Sequence, residues 1–211
     1  MALHALLGEL HPDWHTGSAP AALDPQLAAR ARDSALGRRL LLRTLPAGFM
    51  DGLFAPTPGG GTCASMRQRW PRSRVQALVR DLGVLAHAPV IRAEVRREPV
   101  RQLRRTLGNS YLLALDPAVW DARVDRDVHA RLSSHWEALL AETDFLSDAA
   151  PLGELLERQG RGELFAWASR RNRPLADWMR LLHAQEAPAP AHLPEKALLL
   201  VVSHHEGRDG D

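Results

Sequence analysis

The sequence, 211 residues long, has very little cysteine and very little lysine. Cys63 is the only cysteine, so the chain cannot form an internal disulfide, which suits a reducing cytoplasm, and it cannot build a cysteine-based zinc site. Lys196 is the only lysine among 27 basic residues, and the others are arginines. Few ammonium groups are therefore present for phosphate or Schiff-base chemistry.

The sequence also lacks long apolar runs. The longest, at 197–202, falls well short of the roughly 18 apolar residues that suggest a transmembrane helix. The N-terminal stretch MALHALLGELHPDW has no basic segment before its apolar part, so we do not expect a signal peptide. We therefore expect neither a transmembrane helix nor a signal peptide.

Motifs of the common enzyme classes are missing as well. The glycine run at 59–61 is not followed by GK[ST], and there is no GxGxxG after a strand, no HExxH and no GxSxG. Among the histidines, His129 and His135 are spaced too far apart to align on one helix face as an i, i+4 pair would. We therefore expect no enzyme, no metal and no cofactor. A small hydrolase with an unrecognised site remains a third alternative for the function.

What the sequence does have is helical periodicity. It predicts an all-α fold, a single compact domain of about seven to nine helices, with a long Gly/Pro-rich loop near 46–65. Asp24 and Pro25 form an N-cap and first-turn pair for one helix. The residues predicted to share a face of that helix are Leu27, Ala31, Ala35 and Leu42.

Proline and serine positions predict where further helices begin. Ser73 is the expected cap of one helix, two short helices should begin at Pro89 and Pro99, and Asp116-Pro117 should start the longest helix, which runs to about residue 142. The predicted apolar stripes are Val75, Leu78, Val79, Leu82 and Leu85 in the first of these helices, and Trp120, Val124, Val128, Leu132, Trp136, Leu139 and Leu140 in the longest.

The C-terminal third continues the helical pattern. Residues 151–172 are predicted helical with a weak point at Gly160–Gly162, and another helix should begin at Pro174. Residues 1–185 are assigned to the helical domain, and 186–211 to a proline-rich spacer with a C-terminal segment. The pattern of 195–206 fits a helix or a strand, and the lack of a partner strand favours a helix.

Charge is distributed unevenly along the chain. Residues 67–105 carry eleven arginines against three acidic residues, which gives +8, so the rest of the chain carries −6 of the net +2. Five of these arginines are predicted to form a basic surface opposite the apolar positions Val95, Val100, Leu103 and Leu107. They are Arg96, Arg97, Arg101, Arg104 and Arg105, and Arg92 just before them is a further candidate for contact with a partner. A solvated, partly ion-paired face is the first interpretation, an acidic protein partner the second and nucleic acid the third, because no aromatic residues are interleaved.

Three other residues are candidates for contact with a partner. His87 sits among apolar residues, so it is either a half-buried histidine bonded to a helix terminus or a pH-sensitive contact. Trp14 and Trp70 lie beside prolines in irregular stretches, where they would serve as loop anchors or as interface hot spots. The tryptophans at 120, 136, 167 and 178 fit core positions.

One stretch resembles a known family. The spacing Leu78-x3-Leu82-Gly83-x3-His87-x3-Ile91-Arg92, followed by Pro99, Gln102-Leu103 and Asn109, resembles the SctK family of type III secretion proteins (the YscK- and PscK-like proteins). The similarity is best over 71–112 and looser over 117–183.

The resemblance implies a cytoplasmic, non-enzymatic accessory of the injectisome. It implies a place in the sorting platform, at the cytoplasmic face of the inner membrane and held there by protein contacts. The implied role is to link the cytoplasmic domain of the ring protein SctD to the SctQ pods, which connect in turn to SctL and SctN. Neither a cofactor nor nucleic acid is expected. The alternative is a helical nucleic-acid-binding regulator that uses the basic 92–105 segment.

Overall fold

The fold is all-α. A computed structural model describes residues 9–11, 13–16, 24–44, 70–141 and 148–207 of the chain, and within these ranges the regular structure is helical and contains no strand. The all-α prediction is confirmed. The Gly/Pro-rich loop predicted near 46–65, with Cys63, lies outside the described residues.

The described part contains ten helices of six residues or more and one helix of a single turn. They are α1 (Asp13–Thr16), α2 (Pro25–Asp33), α3 (Ala35–Thr44), α4 (Arg72–Ala86), α5 (Ala88–Ala93), α6 (Arg97–Leu107), α7 (Ser110–Leu115), α8 (Arg126–Ala141), α9 (Ala150–Arg171), α10 (Arg173–Leu182) and α11 (Glu195–Gly207). No described helix is both long enough and apolar enough to cross a membrane.

The predicted helix after Asp24 is two helices. Asp24 caps α2 as predicted, since its Oδ1 accepts hydrogen bonds from the backbone N–H groups of Gln26 and Leu27. The first helix ends before Ser34. The Ser34 hydroxyl accepts the Gly37 N–H at 2.9 Å and so caps α3. Because the helical register restarts there, the predicted face does not hold: Leu27 is 54% exposed and Ala35 is exposed, whereas Leu41, outside that face, is buried. The side chain of Leu42, the last predicted member, lies outside the described part.

The helices group into two units. The first comprises Met1–Ser73 and Ala168–Ala187, and the second comprises Arg74–Trp167 and Pro188–Asp211. In the first unit, tryptophans join segments that are distant in sequence. The Trp14 indole N–H donates to the carbonyls of Arg180 and His183 at 2.8 and 2.9 Å, and the Trp178 indole donates to the Trp70 carbonyl at 3.2 Å.

In the second unit, α4 and α9 cross in close contact. A Cβ added at Gly83 would lie 1.9 Å from the Leu156 carbonyl oxygen, and one added at Gly160 would lie 1.8 Å from that of Val79. Gly83 faces Leu156 and Gly160 faces Val79, so the two helices run antiparallel. The weak point predicted at Gly160–Gly162 is therefore wrong. α9 is continuous there, and Gly160 is a packing position rather than a break.

The apolar stripe predicted for α4 is confirmed, since all five of its residues are buried. The cap is different. α4 begins at Arg72, one residue before Ser73, and the Arg72 N–H donates to the side chain of Glu9 at 2.9 Å. The predicted short helices are confirmed as α5 and α6, with Pro89 and Pro99 in their first turns. Near the other end, α10 begins at Arg173, beside Pro174, and Asn172 caps it.

The helix predicted from Asp116 is shorter than expected. α8 begins only at Arg126, and 116–125 is irregular, with Ala122 at φ 62°. The Asp116 carboxylate accepts the Ala118 N–H at 2.8 Å and so forms a turn instead of a helix start. Trp120 is nevertheless buried, as are Leu132, Trp136 and Leu139 of the predicted stripe. The longest described helix is α9, with 22 residues.

The proline-rich segment is fixed to the second unit by a buried carboxylate. Glu163 on α9 accepts the backbone N–H groups of His192 and Leu193 at 2.9–3.1 Å, and the Gln159 amide at 2.8 Å. The His192 ring contacts the Ala86 carbonyl at 3.0 Å. The chain then forms α11, which confirms the helical interpretation of 195–206.

The Gly83–Gly160 crossing generates a stability prediction. Gly160→Val should destabilise the fold by about 1–3 kcal/mol or more, because the new side chain meets the α4 backbone, which cannot rotate out of the way. Gly153→Ala is the matched control on the same helix, since a Cβ there meets nothing within 4 Å. It should be neutral or stabilise by up to about 1 kcal/mol. Urea denaturation followed by circular dichroism checks both, and equal stabilities would contradict the close crossing.

Burial of His87 generates a pH prediction. Its side chain is 1% exposed, its Nδ1 donates to the Gly83 carbonyl at 2.9 Å, and its Nε2 has no hydrogen-bond partner among the described residues. Burial lowers the pKa of His87 to about 4, although the bond to Gly83 opposes this shift. The unfolded chain therefore binds the proton more readily, and the fold should lose stability as the pH falls from about 6.5 to 4, by about 3 kcal/mol in total.

The measurement is the free energy of unfolding from pH 7.5 to 4 for the native chain and for His87→Leu. The variant should show a flatter dependence in this window. Parallel curves for the two proteins would contradict the buried neutral state of His87.

Candidate protein-interaction surface

The structure divides the six arginines predicted to contact a partner into two groups. Arg92 belongs to the group with internal partners. It lies at the end of α5 and donates to the carbonyls of Ala114, Asp116 and Trp120, at 2.6, 3.3 and 2.7 Å. This side chain holds the end of α7 and the irregular segment after it. Three of its hydrogen bonds are thus made inside the second unit, and its role as a partner contact stays a prediction.

Arg96 also has internal partners. The carboxylate of Glu94 is buried at the end of α5 and accepts the backbone N–H and the guanidinium of Arg96, together with the Trp136 indole at 3.0 Å. Arg96 further contacts Glu137 of α8 at 3.0 Å. The bonds from Arg96 lower the pKa of Glu94 to about 2 against the opposing effect of burial, and Glu94, followed by Glu137, raises the pKa of Arg96. Arg96 is therefore neutralised within the fold.

The remaining four arginines lie on the side of α6 opposite its buried residues. We define the basic ridge as Arg97, Arg101, Arg104 and Arg105. All four are exposed, at the i, i+4, i+7 and i+8 positions of one helix. Arg104 lies over the Tyr111 ring at 5.6 Å, whereas Arg97, Arg101 and Arg105 make no hydrogen bond or ion pair within the part of the chain that the structure describes. The basic ridge is thus a surface of unneutralised positive charge.

The opposite face of α6 differs in part from the prediction. Leu103 and Leu107 are buried as expected, and Gln102 is buried beside them. Val95 is 86% exposed because it precedes the first residue of α6, and Val100 is only half-buried. Gln102 and its surroundings had no signal in the sequence, since a single glutamine on a basic helix does not reveal that it faces inward.

The other three predicted contact residues are buried. His87 is enclosed at the junction of α4 and α5 in the second unit, and Trp14 and Trp70 are buried in the first unit. The Trp14 indole and the His87 ring donate to backbone carbonyls, and the Trp70 carbonyl accepts the Trp178 indole. All three residues are less than a tenth exposed, and their role as contact residues stays a prediction.

A serine, an aspartate and a histidine do converge elsewhere in the second unit. Asp81 accepts the Ser110 hydroxyl at 2.6 Å and lies 2.8 Å from the His205 ring. Burial raises the pKa of Asp81, but the bonds from His205 and Ser110 outweigh it, so the net shift is downward. Both side chains bond to the carboxylate and not to each other, so there is no nucleophile–base pair of the kind that a hydrolase needs. The cluster instead joins α11 to α4 and α7.

No described group of three or more histidine, cysteine or acidic side chains could hold a metal ion. Comparison of the chain with protein-family models, with curated proteins and with solved structures gives no match in any of the three.

Proposed function

We propose that the chain is a non-enzymatic adaptor that binds an acidic protein surface through the basic ridge. The observation that carries the proposal is the exposure of Arg97 and Arg101, side by side on α6, without an ion pair or hydrogen bond to any described residue. Complementary charge of this kind raises the rate of encounter and the specificity of a protein complex more than its final affinity.

The resemblance to the SctK family supplies the partners in this proposal. They are the cytoplasmic domain of SctD and the pod protein SctQ, and through SctQ the chain would connect indirectly to SctL and SctN. The protein would act in the cytoplasm, at the inner membrane, as part of the type III secretion sorting platform. The resemblance segment 71–112 includes all of α6, so the basic ridge lies within it.

The test is reversal of the ridge charge in the triple variant Arg97→Glu, Arg101→Glu, Arg104→Glu. These side chains lie outside the core, so the thermal midpoint should change little, apart from the loss of about 0.5–1 kcal/mol from the Arg104–Tyr111 contact. Association with SctD or SctQ, measured by biolayer interferometry, should slow by about tenfold or more and lose most of its dependence on salt.

The matched control is the triple variant Arg39→Glu, Arg126→Glu, Arg158→Glu. These arginines are also exposed, they lie on α3, α8 and α9 and not on α6, and the total charge change is the same. It should bind nearly as the native chain does. Equal association rates for the native chain and the ridge variant would refute the proposal. Ridge-dependent binding to duplex DNA with a steep salt slope would instead favour the nucleic-acid alternative.

A further inference from the structure

A groove of about 460 Å³ in the second unit adjoins the basic ridge. This volume is within the range of pockets that hold ligands. It is bordered by α6, by the first turns of α9 and by one side chain of α4. The lining residues are Arg80, Gln102, Arg105, Thr106, Ala149, Ala150, Gly153 and Glu157.

The glutamine in this groove lacks a partner. Gln102 is 7% exposed, lines the groove, and makes no hydrogen bond to another residue in the described ranges. Its amide has two donors and one acceptor. The polar atoms of this amide are not fully enclosed, so they are accessible from the groove and can pair with a ligand.

Two guanidinium groups give the groove positive charge. Arg80 donates to the Thr106 carbonyl, which fixes its position, and an arginine has further N–H donors left for a ligand. Arg105 is exposed and has no hydrogen bond or ion pair to a described residue. The start of α9 adds no free donor, because the Ala150 N–H donates to the Asp148 carboxylate at 2.9 Å and the Gly153 N–H donates to the Ala149 carbonyl at 3.0 Å. Glu157 is the one acidic residue of the lining.

We propose that this groove binds a short acidic peptide segment of the partner protein, with a carboxylate between Arg80 and Arg105 and a backbone amide paired with Gln102. The inference rests on the proposed adaptor function and gives it a specific binding site. A peptide group offers one donor and one acceptor, which match the Gln102 amide. A phosphate can also pair with the two guanidinium groups, but it lacks the N–H and C=O pair that a peptide group presents to the Gln102 amide.

The test uses the full chain and a fluorescein-labelled peptide of Gly, Ser, Asp and Glu, with a neutral counterpart in which Asn and Gln replace the acidic residues. Fluorescence anisotropy gives Kd, and ¹⁵N NMR follows the side-chain amide of Gln102. The acidic peptide should bind and shift that amide signal, and the neutral peptide should bind at least about tenfold more weakly.

Three variants probe the groove. Gln102→Leu and Arg105→Gln should each weaken binding of the acidic peptide by about tenfold or more. Gly153→Leu fills the groove without a change of charge, in a place where an added Cβ meets nothing, and should abolish binding. Arg126→Gln is the matched control, since Arg126 is exposed on α8 and belongs neither to the basic ridge nor to the groove, and it should change Kd by less than about twofold. Arg97→Gln removes a ridge charge outside the groove and should weaken binding less than Arg105→Gln does. Arg105→Gln and Gly153→Leu keep the test valid if Gln102→Leu fails to fold.

Several results would overturn the groove. One is that Arg97→Gln and Arg105→Gln weaken peptide binding equally and that the NMR signal of the Gln102 amide does not shift. The peptide would then bind only through the charge of the basic ridge. Another is displacement of the peptide by inorganic phosphate at a phosphate concentration equal to the Kd of the peptide. Either result leaves the adaptor proposal standing if the ridge variant still slows association with SctD or SctQ. Peptide binding in the groove together with unchanged association of that variant would overturn the adaptor proposal alone.

Discussion

The second unit depends on the close crossing of α4 and α9, where Gly83 and Gly160 let each helix approach the backbone of the other. No side chain fits between the helices at these points, so the crossing distance is set by backbone atoms, and such contacts yield little. Arg80 and Glu157 each lie three residues before one of these glycines, about one helical turn away. The crossing therefore holds in place two of the side chains that line the groove, while α6 supplies Gln102, Arg105 and Thr106.

A second constraint determines which arginines are exposed. Glu94 is a buried carboxylate that needs several donors, because burying an unpaired charge would cost far more than the fold can supply. Arg96 and the Trp136 indole provide these donors, and Arg92 is held by three carbonyls at the end of α7. Both arginines are therefore used to fix α5, α7 and α8 around α6. Within the described residues of 67–105, the exposed arginines without an internal ion pair or hydrogen bond lie on one face of α6.

The sequence predicted the features that depend on local chemistry. The α4 stripe, the Asp24 cap and the helix starts near Pro89, Pro99 and Pro174 were all readable, because helical period and capping act over a few residues. The start of α8 was not readable, since Asp116-Pro117 fits a turn as well as a helix, and Arg92 fixes this segment from 24 residues earlier. Gly160 was predicted as a weak point because glycine disfavours a helix, whereas its role is to let α9 approach the backbone of α4, a contact that the local sequence does not show. For the site, the exposed arginines of α6 could be predicted, whereas Gln102, Arg80 and Glu157 meet only through the tertiary fold.

In the proposed interaction the basic ridge and the groove would act over different distances. Charges on the ridge act through water and are screened beyond about 8 Å at physiological salt, so they speed encounter with acidic surfaces and disfavour basic ones. The groove acts at hydrogen-bonding distance, and Gln102 requires a group that both donates and accepts. Arg105 belongs to both surfaces, so an acidic segment attracted by the ridge would meet the groove without leaving α6. Attraction and recognition would then lie on adjacent turns of one helix, whose position is fixed on one side by Glu94 and on the other by its packing through Leu103 and Leu107.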